Sequence, residues 1–251
     1  KMSKSLGNVI SPKEVINKYG ADILRIWVAS SNYNDDIKIS FENLKRQSEG
    51  YRKIRNTLRF LLGNLNAQDI ELDLNYEEVP DIEKFVLNRL YELNDEINSF
   101  YDEFNFNKVY QIVLSFCNIE LSSFFFDVRK DSLYCNSPNS HVVKSTKSVM
   151  IIVFEFLIRW LSPLIPFTME EAWQCWRKEI NSKAEESCHL LNRKKCESNW
   201  SNKQVNEDWK KIFVIRDLFL NIVEEKRNKK HLKSSMEASV FLFINDDEYL
   251  K

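Results

Sequence analysis

The scarcity of glycine and proline is the feature that most limits how this chain can fold. Its 251 residues include only 4 Gly and 5 Pro. Folds built from many short strands need turn residues at every chain reversal, so an all-β fold is nearly excluded. The same scarcity argues against the glycine-rich loops that bind dinucleotides or phosphates. Hydrophobic residues make up 43% and charged residues 29%, which is typical of a globular protein.

Apolar residues recur at three- and four-residue spacing through most of the chain, which predicts a series of long helices. Ser11-Pro12-Lys13-Glu14 and Thr168-Met169-Glu170-Glu171 both have the pattern of a capping box, and each predicts a helix start. Asp22 is expected to cap a short second helix. The long helices are predicted at 41–65, 81–104, 109–128, 142–161 and from residue 208 onward.

The remaining segments lack helical periodicity. Ile37-Lys38-Ile39 predicts a short extended piece, and the polar stretch 181–206 predicts a long surface loop. Trp200 and Trp209 border this loop and are expected to be exposed. Residues 240–244 are β-rich and predict one strand, which is not stable alone. The predicted fold is mostly α: a helical bundle with a small mixed N-terminal piece and the start of a β-strand at the C-terminus.

Cysteine usage bears on compartment and on metal binding. The 5 Cys are an odd number with no CxxC pair, so we expect free thiols in a reducing, cytoplasmic setting. Cys175, Cys188, His189 and Cys196 are the candidates for zinc, but their spacing matches no familiar ligand pairing. We therefore predict no metal site. No apolar signal-peptide core follows the N-terminus, and we expect no membrane partner.

The chain opens with Lys1-Met2-Ser3-Lys4-Ser5, followed closely by Gly7. Two ammonium groups three residues apart suit a polyphosphate, because ammonium is a compact point charge. Lysines that engage a leaving pyrophosphate only in the transition state would stabilise that state selectively. The alternative is a solvated basic terminus without a ligand.

The opening pentamer is identical to the KMSKS signature of the class I aminoacyl-tRNA synthetases, which these residues resemble. Tyr19 to Trp27 is similar to the Tyr-Gly-Ala-Asp segment that follows KMSKS in the isoleucine, leucine, valine and methionine enzymes. Within that group the chain resembles the bacterial or organellar isoleucine enzymes best. The segments that carry this closer resemblance are 27–31, 55–65, 127–134 and 163–173.

The resemblance implies a role in charging tRNA(Ile) with isoleucine, using ATP and Mg²⁺. It implies that Lys4 and Lys1 are catalytic and that both bind ATP together with Met2, Ser3 and Ser5. The His-x-Gly-His signature of the family is missing, and the chain begins with Lys. We therefore expect the catalytic and editing domains to precede residue 1, and the piece alone to be inactive, to bind no cofactor and to be monomeric.

The resemblance also divides the chain into three parts. Residues 1–41 are expected to form the KMSKS loop and a connecting region that contacts the tRNA stem. Residues 42–231 are expected to form the helical anticodon-binding domain, and residues 232–251 to begin a truncated C-terminal module.

Near-neutral net charge, formally −1, conceals two basic patches. The first lies on one predicted helix and the second follows the last helix. Basic patches of this kind dominate tRNA affinity through counterion release. The predicted RNA contacts are Arg52, Lys53, Arg55 and Arg59 in the first patch, with Arg227 and Lys230 in the second. The alternative for each is a solvated helix face, and Arg55 and Arg59 could instead bridge to acids within the bundle.

Two other functions remain open at this stage. One is the corresponding piece of the valine enzyme, because amino-acid selection takes place outside this chain. The other is a non-catalytic helical scaffold that binds no RNA; such a protein would leave the Lys1 to Ser5 motif unexplained.

Overall fold

The structure, a computed structural model, describes residues 2–32, 36–71, 74–233, 237–239, 241 and 243. It forms two compact units, Lys1–Ser201 and Asn202–Lys251. No strand occurs within the described residues. The first unit contains α1 (Pro12–Tyr19), α2 (Ala21–Ala29), α3 (Phe41–Asn64), α4 (Asp81–Asp102), α5 (Phe106–Ser115), α6 (Phe126–Cys135), α7 (His141–Leu161) and α8 (Pro166–Glu179), and the second contains α9 (Lys203–Asn228).

The N-terminal helices begin as the sequence predicts. Ser11 Oγ accepts a hydrogen bond from Glu14 N at 3.2 Å, and Pro12 occupies the first position of α1. Gly20, with φ +91°, separates α1 from α2 without the strain that a side chain would incur. Ser40 caps α3 through a hydrogen bond from Asn43 N at 3.1 Å. Residues 36–40, where the sequence predicts a short extended piece, belong to no helix or strand.

Two predicted caps are wrong, and for a related reason. Asp22 does not cap α2, because Gly20 occupies that position and Asp22 lies inside the first turn. Thr168 does not start α8, which begins at Pro166 with no side-chain cap on its own segment. Instead, Thr168 Oγ1 donates a hydrogen bond to Asp22 Oδ2, which joins α8 to α2. A local pattern cannot distinguish a cap within one helix from a contact between two helices.

The core lies between α3, α4 and α7. Helix α7 is apolar on most of its surface, and the rings of Phe154 and Trp176 stack at 4.8 Å between centroids. Helices α5 and α6 are joined by a π-helical stretch, Phe116–Phe125, which the sequence pattern did not predict. Within it, Ser122 Oγ donates to the Cys117 carbonyl at 2.7 Å, five residues back, which supports the wider turn.

The run Phe106–Cys135 is long and apolar enough to cross a membrane by length and composition. Half of its most apolar window is nevertheless buried inside the protein. A core helix of a globular bundle meets the same criterion, and the packing of this run against α3 and α4 fits that description.

Buried ion pairs join the helices. Glu83 of α4 is fully buried and accepts hydrogen bonds from Arg129 Nε at 2.7 Å and Thr146 Oγ1 at 2.7 Å. Lys147 of α7 binds Asp69 at 3.0 Å and holds the connection between α3 and α4. These two ion pairs hold α4, α6, α7 and the connection between α3 and α4 in one arrangement. If either partner of a pair moved away, the other would be left as a buried, unpaired charge.

The predicted surface loop is anchored rather than free. Cys188 and Trp200 are buried, and Trp173 Nε1 donates to the Glu185 carbonyl at 2.8 Å. The expectation that Trp200 and Trp209 are exposed is wrong, since their relative exposures are 2% and 8%. Apolar anchors separated by polar residues carry no periodic signal, so the sequence pattern misses them.

The last helix begins earlier than predicted. Helix α9 starts at Lys203 rather than at residue 208, and Asn202 caps it through a hydrogen bond from Val205 N at 3.2 Å. Of the predicted strand at 240–244, Val240, Leu242 and Ile244 lie outside the described residues. Phe241 and Phe243 are described and belong to no strand.

Candidate nucleic-acid interface

The lysine-rich segment forms a compact, solvent-exposed turn. Residues Lys4–Leu6 make one 3-10 turn, closed by Leu6 N donating to the Ser3 carbonyl at 3.2 Å. Ser3 N donates to Asn8 Oδ1 at 2.9 Å, and the hydroxyls of Ser3 and Ser5 lie 2.6 Å apart. Lys1 lies outside the described residues. The geometry therefore places two hydroxyls beside the backbone that carries Lys4.

Two further residues shape this turn. Gly7 follows it with φ +63°, a left-handed conformation that glycine adopts without strain. Met2 precedes it with 52% of its side chain exposed. An exposed methionine and a glycine beside a short turn leave the backbone open to a ligand from solvent.

The first basic patch lies on α3, and the structure divides it. Arg52, Lys53 and Arg59 are exposed and form no ion pair with any described residue. They lie on one helix whose opposite face buries residues such as Ile54 and Leu61 in the core. We call these three cations the α3 basic face. Their charges are directed to solvent, which is the arrangement that attracts a phosphate backbone.

Arg55 differs from its neighbours, because Glu171 of α8 holds it in a bidentate ion pair. Its Nη1 and Nη2 lie 2.8 and 3.0 Å from the two carboxylate oxygens, and Nη1 also donates to Tyr51 Oη at 3.3 Å. The hydrogen bonds to Glu171 and Tyr51 raise the pKa of Arg55, and Arg55 lowers the pKa of Glu171. This pairing confirms that Arg55 bridges to an acid within the bundle.

A cleft of about 390 Å³ lies beside this ion pair, between α3 and α8. Leu58, Leu62 and Ala172 supply apolar lining, while Arg59 and Glu179 supply charge. The cleft therefore combines an apolar floor with one cation of the α3 basic face.

The second basic patch ends α9. Arg227 lies in the last turn of the helix, and Lys230 follows it with φ +58°. Both are exposed, while Lys229 pairs with Glu225. Cations at a helix C-terminus also interact favourably with the helix dipole, so this patch has a local stabilising role whether or not RNA binds.

A cationic cavity was missed by the sequence reasoning. It has a volume of about 300 Å³ and is lined by Arg159, Arg193 and Lys194 beside the aromatic rings of Tyr101 and Trp160. Each of the three cations is already paired: Arg193 with Asp102, and Arg159 and Lys194 with Glu155. The run Arg193-Lys194-Lys195 was the available signal, but it stood in a segment predicted to be a free loop.

A group of potential metal ligands forms around Glu170. Its carboxylate, the Cys188 thiol and the His189 ring lie within 4.8 Å of one another. Burial opposes the ionisation of Glu170, but hydrogen bonds from Gln174, Cys188 and Ser187 prevail and lower its pKa to about 2. Burial and the adjacent carboxylate raise the pKa of Cys188 to about 12.

The polar groups of this cluster bond to one another. Glu170 accepts hydrogen bonds from Gln174 Nε2, Ser187 Oγ and Cys188 N. The group therefore anchors residues 187–189 to α8. The absence of a metal site stays a prediction.

Two family models match different parts of this chain. A family model described as "Anticodon-binding domain of tRNA ligase" matches residues 83–242. A second, described as "tRNA synthetases class I (I, L, M and V)", matches residues 1–40. The lysine turn thus falls in one family match and most of the bundle in the other.

Curated relatives extend the similarity over nearly the whole chain. An isoleucine–tRNA ligase of Pelagibacter ubique is 43% identical over 98% of this chain and 27% of its own length. Those of Bartonella henselae and Petrotoga mobilis are both 41% identical over 98% of the chain. The chain therefore spans about a quarter of the length of the curated relatives it matches.

A solved structure shares the fold. It is the ternary complex of a LeuRS from Agrobacterium radiobacter K84 with tRNA and LeuAMS, with a TM-score of 0.60 and 17% sequence identity. The match covers 80% of this chain and 23% of that chain. At this identity the similarity concerns the helical architecture alone.

Proposed function

The chain belongs to the anticodon-binding domain family of the class I tRNA ligases, and from this premise we propose that it is the tRNA-binding part of an isoleucine–tRNA ligase. The family match over residues 83–242 is the observation that carries the proposal. In the proposed enzyme, the bundle binds tRNA(Ile) around the anticodon stem-loop. The rest of the active site lies in catalytic and editing domains of the same polypeptide.

Specificity for isoleucine is supported by the curated relatives, which are isoleucine–tRNA ligases at 39–43% identity. The proposed reaction joins isoleucine to AMP with release of pyrophosphate and then transfers it to the tRNA. ATP and Mg²⁺ serve the complete enzyme. We further propose that the enzyme is a cytoplasmic monomer.

The lysine turn is the proposed ATP contact. Lys4 is carried by a turn whose neighbouring hydroxyls, Ser3 and Ser5, lie close enough to donate to the same phosphate. Charge develops on pyrophosphate as it leaves, so Lys4 and Lys1 would stabilise the transition state more than bound ATP. In this proposal the other wall of the ATP pocket comes from the catalytic domain.

The α3 basic face is the proposed RNA contact of the bundle, and Arg227 and Lys230 are its proposed counterparts in the second unit. Arg52, Lys53 and Arg59 are free to neutralise phosphates, because none is paired with a described acid. Arg55 is a weaker contact, since an RNA phosphate must compete with Glu171 for it.

Salt-dependent binding of tRNA(Ile) to the 251-residue chain tests this function. We expect the association constant to fall steeply with salt, and Arg52→Gln or Arg59→Gln to reduce the log–log slope by about one each. Lys130→Gln, an exposed lysine of α6 that is paired with Asp127, is the matched control and leaves the slope unchanged. Absent or salt-independent binding would favour a helical scaffold without an RNA partner.

A further inference from the structure

Helix α2 contacts the corner between α7 and α8 through two side chains of opposite charge. Asp22 Oδ2 accepts hydrogen bonds from Thr168 N at 2.8 Å and from Thr168 Oγ1 at 2.5 Å. Arg25, one turn later on α2, donates from Nε to the Leu164 carbonyl at 3.0 Å and from Nη2 to the Pro163 carbonyl at 2.7 Å. We call Asp22 and Arg25 the α2 clamp.

The clamp matches the backbone polarity of the corner. The first N–H groups of α8 lack an intrahelical partner, and Ile165 at its cap position provides no side-chain acceptor. Asp22 supplies that acceptor from another helix, and its negative charge lies at the positive end of the α8 dipole. Arg25 satisfies two carbonyls that follow the end of α7. If Asp22 and Arg25 exchanged places, the carboxylate would face backbone carbonyls and the guanidinium would face backbone N–H groups, and both contacts would be repulsive.

The carboxylate of Asp22 is buried with incomplete hydrogen bonding. Asp22 is only 6% exposed, and its second oxygen, Oδ1, has no hydrogen-bond partner among the described residues. Burying a carboxylate with incomplete hydrogen bonding is costly. A neutral asparagine would offer the same acceptor to Thr168 with a smaller desolvation penalty, but it would lose the interaction of the charge with the α8 dipole.

The clamp lies between the proposed ATP-binding turn and the proposed RNA-binding helix. Thr168 Oγ1 lies 2.9 Å from Tyr51 Oη, and Tyr51 in turn accepts from Arg55, which is paired with Glu171. Hydrogen bonds therefore run from α2 to α3 and α8 without interruption. In the other direction, α2 packs on α1, which follows the lysine turn. The clamp is one of the contacts that fix the synthetase-like residues 1–40 to the bundle, together with the packing of α2 on α3 and α5.

We propose that Asp22 and Arg25 are positioning residues that hold the lysine turn in register with the tRNA-binding bundle. This inference rests on the proposed function and deepens it. The clamp acts on the tRNA-dependent step, because only that step requires the ATP site and the bundle to hold one substrate together. Formation of the adenylate uses the lysine turn without tRNA and is insensitive to the clamp.

The test uses the complete polypeptide with Asp22→Ala, Asp22→Asn and Arg25→Gln. ATP–pyrophosphate exchange without tRNA, tRNA charging and thermal unfolding are measured for each variant. Asp22→Ala is expected to leave exchange unchanged and to lower kcat for charging about tenfold with little change in KM for tRNA. Asp22→Asn keeps the acceptor for Thr168 and is expected to restore part of the loss.

Lys147→Met is the matched control, because it removes an ion pair to Asp69 that joins elements within the bundle only. It is expected to lower the melting temperature and to leave charging by the folded enzyme unchanged. Equal loss of exchange and charging in Asp22→Ala, or no change in either, would overturn the proposal. If Asp22→Ala does not fold, the charge-neutral Asp22→Asn decides between the same outcomes. A wild-type enzyme that charges no tRNA would instead refute the proposed function itself.

Discussion

Charged residues of the same type have different roles here because they touch different groups. Arg52 and Arg55 lie one turn apart on α3, yet Arg52 has no described ionic partner while Arg55 is held by Glu171. The sequence predicted both as RNA contacts and also allowed Arg55 to bridge to an acid. The choice could not be made from the sequence, because Glu171 lies more than a hundred residues away along the chain.

Asp22 and Thr168 show the same limit. Both residue types favour helix starts, so each was predicted to cap its own helix. The structure joins them through a hydrogen bond of 2.5 Å between α2 and α8. The residue types predicted the chemistry, which is a hydrogen-bond acceptor at a helix N-terminus. They did not predict which helix the acceptor caps.

Lys4 carries the first prediction at this scale. In the complete polypeptide, Lys4→Ala is expected to lower kcat for ATP–pyrophosphate exchange about a hundredfold, with little effect on isoleucine binding. The physical reason is that an ammonium group engaging the leaving pyrophosphate stabilises the transition state more than the bound substrate. Steady-state exchange and equilibrium binding of isoleucine provide the two measurements.

Lys13→Ala is the control for this prediction, because Lys13 is an exposed lysine of α1 nine residues away along the chain. It is expected to exchange pyrophosphate at the wild-type rate. Equal losses of exchange and isoleucine binding in Lys4→Ala would mean that Lys4 helps assemble the site rather than acting in the reaction.

At the scale of elements, helix existence could be predicted and helix connections could not. The predicted helix at 41–65 is observed as Phe41–Asn64, and that at 142–161 as His141–Leu161, because each has a continuous apolar stripe. The π-helical stretch Phe116–Phe125 keeps similar apolar spacing and left no separate signal. The segment after α8 is fixed by single anchors such as Cys188, which periodicity does not detect.

The buried ion pair between α4 and α6 gives a prediction about stability. Arg129→Met leaves the fully buried Glu83 carboxylate with Thr146 as its remaining neutral donor. Breaking one partner of a buried pair is expected to lower the free energy of unfolding by about 3 kcal/mol. Denaturant unfolding of the 251-residue chain measures the change.

Arg193→Met removes a pair of the same chemistry at the surface, since Arg193 and Asp102 expose 59% and 68% of their side chains. Its cost is expected to stay below about 1 kcal/mol. Similar losses for the two variants would contradict the view that Glu83 and Arg129 hold the bundle together.

Glu170 predicts how the segment after α8 responds to acid. Its pKa in the folded state is lowered from 4.5 to about 2 by hydrogen bonds from Gln174, Cys188 and Ser187, so folding favours the ionised form. This contribution to stability is present above pH 4.5 and is lost as the pH falls toward 2. Glu170→Gln is expected to flatten the pH dependence of the melting temperature in that interval. An unchanged acid limb would show that Glu170 is not coupled to folding.

At the scale of the whole molecule, the composition predicted the mostly α fold, and the resemblance predicted the family to which the chain belongs. Four glycines leave little room for strands and tight turns, and the structure has no strand in the residues it describes. The compact units of the structure divide the chain between Ser201 and Asn202. The division into functional parts at residues 41 and 231 is not tested by these units and stays a prediction. A boundary inside a helical protein depends on contacts far apart in sequence, which composition does not reveal.

The two basic patches also belong to different units, with the α3 basic face in the first and Arg227 in the second. The net charge near zero therefore gives no indication of RNA binding. The concentration of cations in each patch is the feature that indicates it. The curated relatives are named isoleucine–tRNA ligases and are about four times as long as this chain. The proposed reaction therefore belongs to a larger polypeptide.

Charging of tRNA by that complete polypeptide tests the central claim most directly. Purified tRNA(Ile) and tRNA(Val) are offered separately with ATP, Mg²⁺ and labelled isoleucine or valine, and the aminoacylated product is measured. The account predicts esterification of isoleucine to tRNA(Ile), with no stable product from tRNA(Val). Charging of tRNA(Val) with valine would assign the chain to the valine enzymes, and no charging of either tRNA would contradict the account.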